Sequence, residues 1–250
     1  MRRVTVVLAC VSLLLIPLLS HASHSWGGYH WARVSNPFTL KLGDNVSGVW
    51  DGHLATTSSD WSISSVLDTA IVGGLGGKNC RATAGRVEVC NRKYGNNGWL
   101  GIAQIWINGS GHITQGLAKM NDTYFSVAPY NTSAWRNLVM CQEVAHAFGL
   151  DHQDEDFTNP NLGTCMDYTN SPATNQHPNA HDYAMLETIY AHLDSFSTLS
   201  ASLPSASGQD LDDLKGWGKA LKHDGHGKPS LFEKDLGKGH KVFTHVFWVD

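Results

Sequence analysis

One segment constrains this chain more than any other, and it reads QEVAHAFGLDH over residues 142–152. On a helix, Gln142 and His146 lie one turn apart on the same face, and Glu143 lies beside them. Gly149 can end such a helix in a left-handed conformation and turn the chain so that His152 returns toward the same point. If the segment folds in this way, two imidazoles and an amide could reach a single ion, with a carboxyl group beside them.

This group of side chains is suited to holding a metal ion. Two imidazoles and a third donor, with one position left for water, form the arrangement that a catalytic zinc ion needs. Such a metal lowers the pKa of water, and an adjacent carboxylate can take its proton as the water attacks a carbonyl group. Glu143 is placed for that role of general base. The alternative is that His146 and His152 are packing residues at a buried helix end.

The same segment resembles the long motif of the metzincin clan of zinc endopeptidases, His-Glu-x-x-His-x-x-Gly-x-x-His, which is followed downstream by a methionine turn. Glu143, His146, Gly149 and His152 match this motif, and residues 165–168, CMDY, resemble the methionine turn. The resemblance implies an α+β fold with a mixed twisted sheet, a metal-binding active-site helix and a C-terminal helix. It also implies Zn²⁺ as the cofactor.

Gln142 departs from the family motif, because it stands where the family has its first zinc-binding histidine. An amide oxygen is a weaker donor than imidazole and lacks a second ring nitrogen for a supporting group to fix. Three outcomes stay open: Gln142 binds zinc through its oxygen, His177 or His181 replaces it, or the site holds metal poorly and is inactive. We favour the first, since Glu143 has no obvious use without a metal. His112 is a further candidate neighbour of the cleft.

The resemblance implies roles for three more features. Met166 would form an apolar floor beneath the metal without binding it. Tyr168 is similar to a tyrosine that lies near the zinc in some members and stabilises the oxyanion; the alternative is a packed aromatic ring with a satisfied hydroxyl. The edge strand that pairs with an extended peptide substrate would include Trp99, Leu100, Gly101, Ile102 and Ala103.

The start of the chain predicts a secretory signal peptide over residues 1–22. Two arginines precede an apolar run that is broken by Pro17, and small residues follow at Ser20 and Ala22. A transmembrane anchor is the alternative, but it needs roughly 20 apolar residues and this run is shorter. We then expect a metzincin-like domain over 23–198 and a Ser-rich linker with a C-terminal extension over 199–250, in which residues 242–249 are typical of a strand.

Four cysteines remain after such a signal peptide: Cys80, Cys90, Cys141 and Cys165. An even number in an exported chain predicts disulfides, and four cysteines allow three pairings. Proximity in sequence favours Cys80–Cys90 with Cys141–Cys165, and the second of these would tether the metal-binding helix to the methionine turn. The alternative is four reduced, buried thiols.

The formal charge of −4 argues against nucleic acid as a partner, since a nucleic-acid binder needs a basic surface. We expect a protein or peptide substrate, no membrane anchor after signal removal, and a monomer. Asp154, Glu155 and Asp156 could bind Ca²⁺, orient a ligand histidine through its free ring N–H, or form a solvated loop. We rank the solvated loop first.

Apolar periodicity predicts the secondary structure. Helices are expected over 46–57, from Thr132 to Gly149, and from the Asn179 cap to about Phe196. Strands are expected at 38–42, around Trp61 and Ile63, at Val87 and Val89, and over 99–107 and 112–118.

Together these observations predict a secreted zinc-dependent endopeptidase in which Glu143 acts as general base on a metal-activated water. The alternative is a secreted peptide- or protein-binding pseudo-peptidase on the same scaffold, with weak metal binding or none.

Overall fold

A computed structural model describes residues 24–200 and 214–250. The predicted signal peptide and most of the predicted linker lie outside these residues. The helices of four residues or more in the described part are α1 (Trp50–Trp61), α2 (Asp122–Phe125), α3 (Ser133–His146) and α4 (Ala180–Ile189). The strands there are β1 (His30–Trp31), β2 (Phe38–Asn45), β3 (Leu67–Gly73), β4 (Arg86–Arg92), β5 (Trp99–Ile107), β6 (His112–Asn121), β7 (Lys219–His223), β8 (Pro229–Gly237) and β9 (His240–Trp248).

All of these strands belong to one mixed sheet, whose order is β3-β2-β4-β6-β5-β9-β8-β7, with β1 paired to one end of β6. The strands on the β3 side of the sheet, up to β6, run parallel to one another. From β5 onward every neighbouring pair is antiparallel. The expected α+β class is confirmed.

Helix α3 packs against β5 and β6 on one face of the sheet. Its apolar residues at helical spacing, such as Leu138 and Val139, are fully buried, and the Thr132 side chain caps its first turn by accepting a hydrogen bond from the Trp135 amide. On β5, a Cβ atom at Gly101 would lie 2.5 Å from Oε1 of Glu143. The glycine therefore makes room for the helix residue that carries the carboxyl group.

The expected boundaries of two helices are wrong, and tertiary contacts explain why. Helix α1 begins at Trp50 and not at residue 46, because β2 continues to Asn45 in pairing with β4, and Gly48 then takes a φ of +66°. Trp61, expected in a strand, ends this helix and is fully buried. Helix α4 stops at Ile189 because Arg33 and Asn36 donate hydrogen bonds to the carbonyl of the next residue, at 2.7 and 2.8 Å.

Strand β5 is not at the edge of the sheet, which corrects the expectation for Trp99 to Ala103. Its far side pairs antiparallel with β9, where Ala103 is opposite His245 and Gly101 is opposite Phe247. Every residue of β5 is buried. A continuous apolar run is typical of a strand that is covered on both faces and paired on both sides. The segment 214–250 thus extends the same sheet by three strands.

Both expected disulfides are present in the structure. Cys80–Cys90 and Cys141–Cys165 have Cα–Cα distances of 6.2 and 6.0 Å. The second joins α3 directly to the residue before Met166. Disulfides of this kind are consistent with an oxidising compartment.

Among the described residues, no helix has the length and apolar composition that crossing a membrane requires.

Candidate metal centre

The C-terminal end of α3 and the turn after it bring His146 and His152 together. The helix ends at His146, and Gly149 follows with a φ of +97°. A Cβ atom at Gly149 would lie 2.3 Å from the carbonyl oxygen of Tyr29, so both conformation and space require glycine here. Nε2 of His146 then lies 3.0 Å from Nε2 of His152, with the ring planes 85° apart.

The other nitrogen of each ring already has a hydrogen-bond acceptor. Nδ1 of His146 lies 2.8 Å from the carbonyl oxygen of Leu150, and Nδ1 of His152 lies 2.9 Å from Oε1 of Glu155. Because both acceptors require a proton on Nδ1, the hydrogen-bond network assigns the lone pair to Nε2 in each ring. Two lone pairs facing each other across 3.0 Å repel unless a proton or a metal ion lies between them.

Electrostatics keep His146 uncharged. Burial, followed by the electrostatic effect of the neighbouring His152 ring, lowers the pKa of His146 to about 3. The imidazole is therefore neutral at physiological pH and free to donate its Nε2 lone pair to a metal ion.

Gln142 presents an unused oxygen in the same buried region. Its side-chain nitrogen donates a hydrogen bond of 2.8 Å to the carbonyl of Cys165, which fixes the orientation of the amide. Its Oε1 is buried and has no hydrogen-bond partner among the described residues. A buried carbonyl oxygen without a partner costs free energy, so a ligand that accepts its lone pair would stabilise this arrangement.

Glu143 is also buried and unpaired. Its side chain is 1% exposed, and neither carboxyl oxygen has a hydrogen-bond partner among the described residues. Burial raises the pKa of Glu143 well above its ordinary value. Raised pKa values of this origin are characteristic of carboxyl groups that exchange protons with substrate or water.

Strand β9 contributes a third imidazole that sequence reasoning missed. His245 stacks face to face on His146, with ring centroids 3.9 Å apart and planes 11° apart. Burial lowers the pKa of His245 well below its ordinary value. Nitrogen lone pairs lie in the plane of the ring, so a ring stacked in parallel on His146 covers that ligand and does not point at the same ion. The alternation of residues 242–249 predicts a strand, but it does not say which strand β9 joins.

Met166 and Tyr168 follow the disulfide, and Tyr168 lies beside His152. Met166 is fully buried. The Tyr168 ring packs against His152, with centroids 4.3 Å apart, and its hydroxyl donates a hydrogen bond of 3.3 Å to the carbonyl of Val246 in β9. Tyr168 is thus a packed aromatic residue with a satisfied hydroxyl in this structure, and its partner is a backbone carbonyl of the strand paired with β5.

The other histidines considered for the place of Gln142 lie elsewhere. His177 is exposed and its Nδ1 lies 2.7 Å from a carboxyl oxygen of Asp60. His181 stacks on His24. His112 bonds Asp194 and is not a neighbour of the cleft. Gln142 is therefore the residue that stands beside the two motif histidines.

The acidic segment after His152 is not simply a solvated loop. Glu155 orients His152 through the Nδ1 contact described above, which is the supporting role that carboxylates take behind metal-binding histidines. Asp154 and Asp156 instead accept hydrogen bonds from within the loop, from Asn159 and Thr158. Glu155 therefore contacts a motif histidine, and the expectation of a purely solvated loop does not hold for this residue.

The site is closed to solvent in the described chain. Gln142, Glu143, His146 and His152 are all buried, and β9 fills the side of β5 along which a peptide was expected to lie. Its antiparallel pairing is the kind of pairing by which peptides add to a sheet edge. The chain's own C-terminal strand thus takes the place expected for a substrate.

No family model matches this chain, and no curated protein is similar enough to match it. Among solved structures, two of myroilysin are similar to part of it. One shares 13% sequence identity at a TM-score of 0.36 and covers 64% of this chain and 96% of the other. The second shares 12% at the same TM-score and covers 70% and 97%. Similarity at this level carries no conclusion about family or activity, which therefore depend on the geometry of the site.

Proposed function

We propose that this protein is an exported zinc-dependent endopeptidase whose cleft is occupied, in the full chain, by its own strand β9. One observation carries the proposal: the Nε2 atoms of His146 and His152 face each other at 3.0 Å while both Nδ1 atoms are held by acceptors. The export part rests on the predicted signal peptide and on the two disulfides.

The residues fit a zinc ion. Three donor atoms would hold it: Nε2 of His146, Nε2 of His152 and Oε1 of Gln142. The two nitrogens face each other, and the amide oxygen has no hydrogen-bond partner among the described residues. Two imidazoles and an oxygen form an acceptable donor set for zinc, with one position open. When bound, the metal would supply Lewis acidity that lowers the pKa of water and polarises a peptide carbonyl.

Glu143 would act as the general base that accepts a proton from water. A carboxylate whose pKa is raised by burial accepts the proton of an attacking water and can return it to the leaving amine as the peptide bond breaks. The unpaired oxygens of Glu143 leave it free for this transfer.

Tyr168 would bind the carbonyl oxygen of a substrate. In the described chain its hydroxyl already donates to the carbonyl of Val246, which belongs to a strand paired with β5. A substrate strand in the same place would offer a carbonyl to the same hydroxyl. Donors placed in this way stabilise the negative charge that develops on the oxygen during peptide hydrolysis.

Activity on another chain then requires β9 to leave β5. A test inserts the recognition sequence of an added protease within residues 201–213 and compares the full chain with the cut chain. We expect one zinc ion at this site in both, and faster chelator-sensitive hydrolysis of a mixed peptide library by the cut chain. Cut protein carrying Glu143→Ala is the matched control.

Two results would contradict the proposal. If His152→Ala leaves the zinc content unchanged, the site does not hold the metal. If the cut chain holds zinc at His146 and His152 but hydrolyses no peptide, or holds no metal and does not cleave, the alternative of a peptide-binding pseudo-peptidase replaces the enzyme.

A further inference from the structure

A second group of metal-binding side chains lies where the N-terminal strand meets the segment after α4. Nε2 of His30, in β1, lies 3.1 Å from Nε2 of His192. Oxygens of Asp194 lie 3.6 Å from Nε2 of His30 and 3.8 Å from Nε2 of His192. This group shares no residue with the site at the end of α3.

The tautomer of His30 is fixed by its surroundings. Its Nδ1 lies 3.0 Å from the carbonyl oxygen of Gly28, so Nδ1 carries the proton and Nε2 carries the lone pair. This is the arrangement in which metal-binding histidines are usually held, with the other ring nitrogen bound to a carbonyl or carboxylate. The Nε2 lone pair is directed toward the neighbouring ring of His192, whose plane is 87° from its own.

Asp194 is held in place by groups other than these two histidines. Arg33 donates to one carboxyl oxygen from its backbone amide, at 3.2 Å, and from its guanidinium group, at 3.1 Å. Nε2 of His112 lies 3.2 Å from the other oxygen. Arg33 thus balances the charge of Asp194.

We propose that His30, His192 and Asp194 form a second, zinc-type metal site, with His112 as the residue that positions the carboxylate. For tetrahedral zinc with Zn–N distances near 2.05 Å, neighbouring donor atoms are about 3.3 Å apart. The distance between the two Nε2 atoms, 3.1 Å, lies close to that value. The Asp194 oxygens are somewhat further out, with Oδ2 at 3.6 Å from Nε2 of His30 and Oδ1 at 3.8 Å from Nε2 of His192. The His192 side chain is 58% exposed, so the remaining coordination position faces solvent.

Such a site would add a cross-link between two segments that already share backbone hydrogen bonds, from Asp194 to the carbonyl of Arg33 and from Thr198 to that of Ala32, each at 2.9 Å. Strand β1 has only two residues, yet Trp31 donates its ring N–H to the carbonyl of Ala147, the residue after α3, at 2.8 Å. Tyr190, which follows α4, donates to the carbonyl of Phe148 at 2.9 Å. A metal bound between His30 and His192 would therefore fix two segments that both support the turn after His146.

The test is a zinc count on the full chain. Metal-free protein is titrated with Zn²⁺ and bound metal is measured after desalting, with Co²⁺ absorption as an independent report on tetrahedral coordination. We expect two equivalents in the unmodified chain and one in His192→Ala. The control is His177→Ala, another exposed histidine that contacts a carboxylate, and it should retain both equivalents.

The counts separate this site from the one at α3. His152→Ala should also retain one equivalent, and the double variant with His192→Ala should retain none. If His192→Ala binds as much zinc as the unmodified chain, and His30→Gln does too, the second site is overturned while the peptidase proposal stands. If His152→Ala keeps two zinc equivalents while His192→Ala keeps one, the second site stands and the peptidase proposal falls.

Discussion

Two pairs of histidines in this molecule share one geometry and differ in the carboxyl group beside them and in their exposure to solvent. Nε2 atoms face each other at 3.0 Å between His146 and His152, and at 3.1 Å between His30 and His192. In the first pair the surroundings include the buried, unpaired carboxyl group of Glu143. In the second pair the nearby carboxylate is already paired with an arginine. On the proposed function, the first pair is catalytic because an unpaired proton acceptor lies beside it, and the second pair is not because it has none.

Access is the second difference between the two pairs. Strand β9 covers the first pair, and His245 stacks directly on His146. The second pair opens to solvent through His192. The pair with the buried, unpaired carboxyl group beside it is thus the one that is enclosed. On the proposed function, the chain's own strand restrains activity there.

The largest expected effect is confined to the first pair. Glu143→Gln in the cut chain should lower kcat by about 10²- to 10⁴-fold, the usual contribution of a general acid–base group, with zinc content unchanged. Steady-state hydrolysis and metal analysis on the same sample measure both quantities. Glu187→Gln, on the exposed side of α4, serves as the control, and persistent turnover in Glu143→Gln would refute the role of this residue.

A smaller effect should appear at both pairs when a supporting residue is removed. Glu155→Ala is expected to weaken zinc binding at the first pair by about 10- to 100-fold, because His152 loses the acceptor that fixes its ring. His112→Ala should weaken the second pair to a similar extent by releasing Asp194. Competition with a chelator of known affinity measures both constants. Equal losses at both sites from either variant would show general destabilisation instead.

Gln142→His should act on the first pair alone. Imidazole is a better zinc donor than an amide oxygen, so zinc affinity there should rise on the order of tenfold, while the second pair is unaffected. The same competition with a chelator measures this change in zinc affinity. An unchanged affinity would mean that residue 142 does not bind the metal.

The smallest expected effect is at His245. His245→Ala should leave the zinc count unchanged, since the ring stacks on His146 and its lone pairs lie in a parallel plane. Metal analysis after desalting measures this. Loss of one equivalent would make His245 a ligand in place of Gln142.

The sequence predicts the first pair well because its members lie within one short segment. Helical spacing places Gln142 beside His146, and a glycine with positive φ is recognisable at the end of the helix. Cys141–Cys165 could be predicted for a similar reason, because the two cysteines are close in sequence.

The pairing of His30 with His192, and the covering of His146 and His152 by β9, could not be predicted in this way. His30 and His192 are brought together by strand pairing and by the end of α4, and no local spacing relates them. The apolar pattern of β9 predicts a strand, but its partner depends on which sheet edge is left open by the rest of the fold. The resemblance predicts β5 as that open edge, but its sequence, which is apolar apart from Gln104 and is buried throughout, indicates an interior strand instead.

The central claim is that Gln142, His146 and His152 hold a zinc ion beneath β9. A crystal of the full chain grown with Zn²⁺ and measured on both sides of the zinc absorption edge tests it most directly. We predict an anomalous peak within bonding distance of Nε2 of both histidines and of Oε1 of Gln142. A map with anomalous peaks elsewhere, and no peak between His146, His152 and Gln142, would contradict the account.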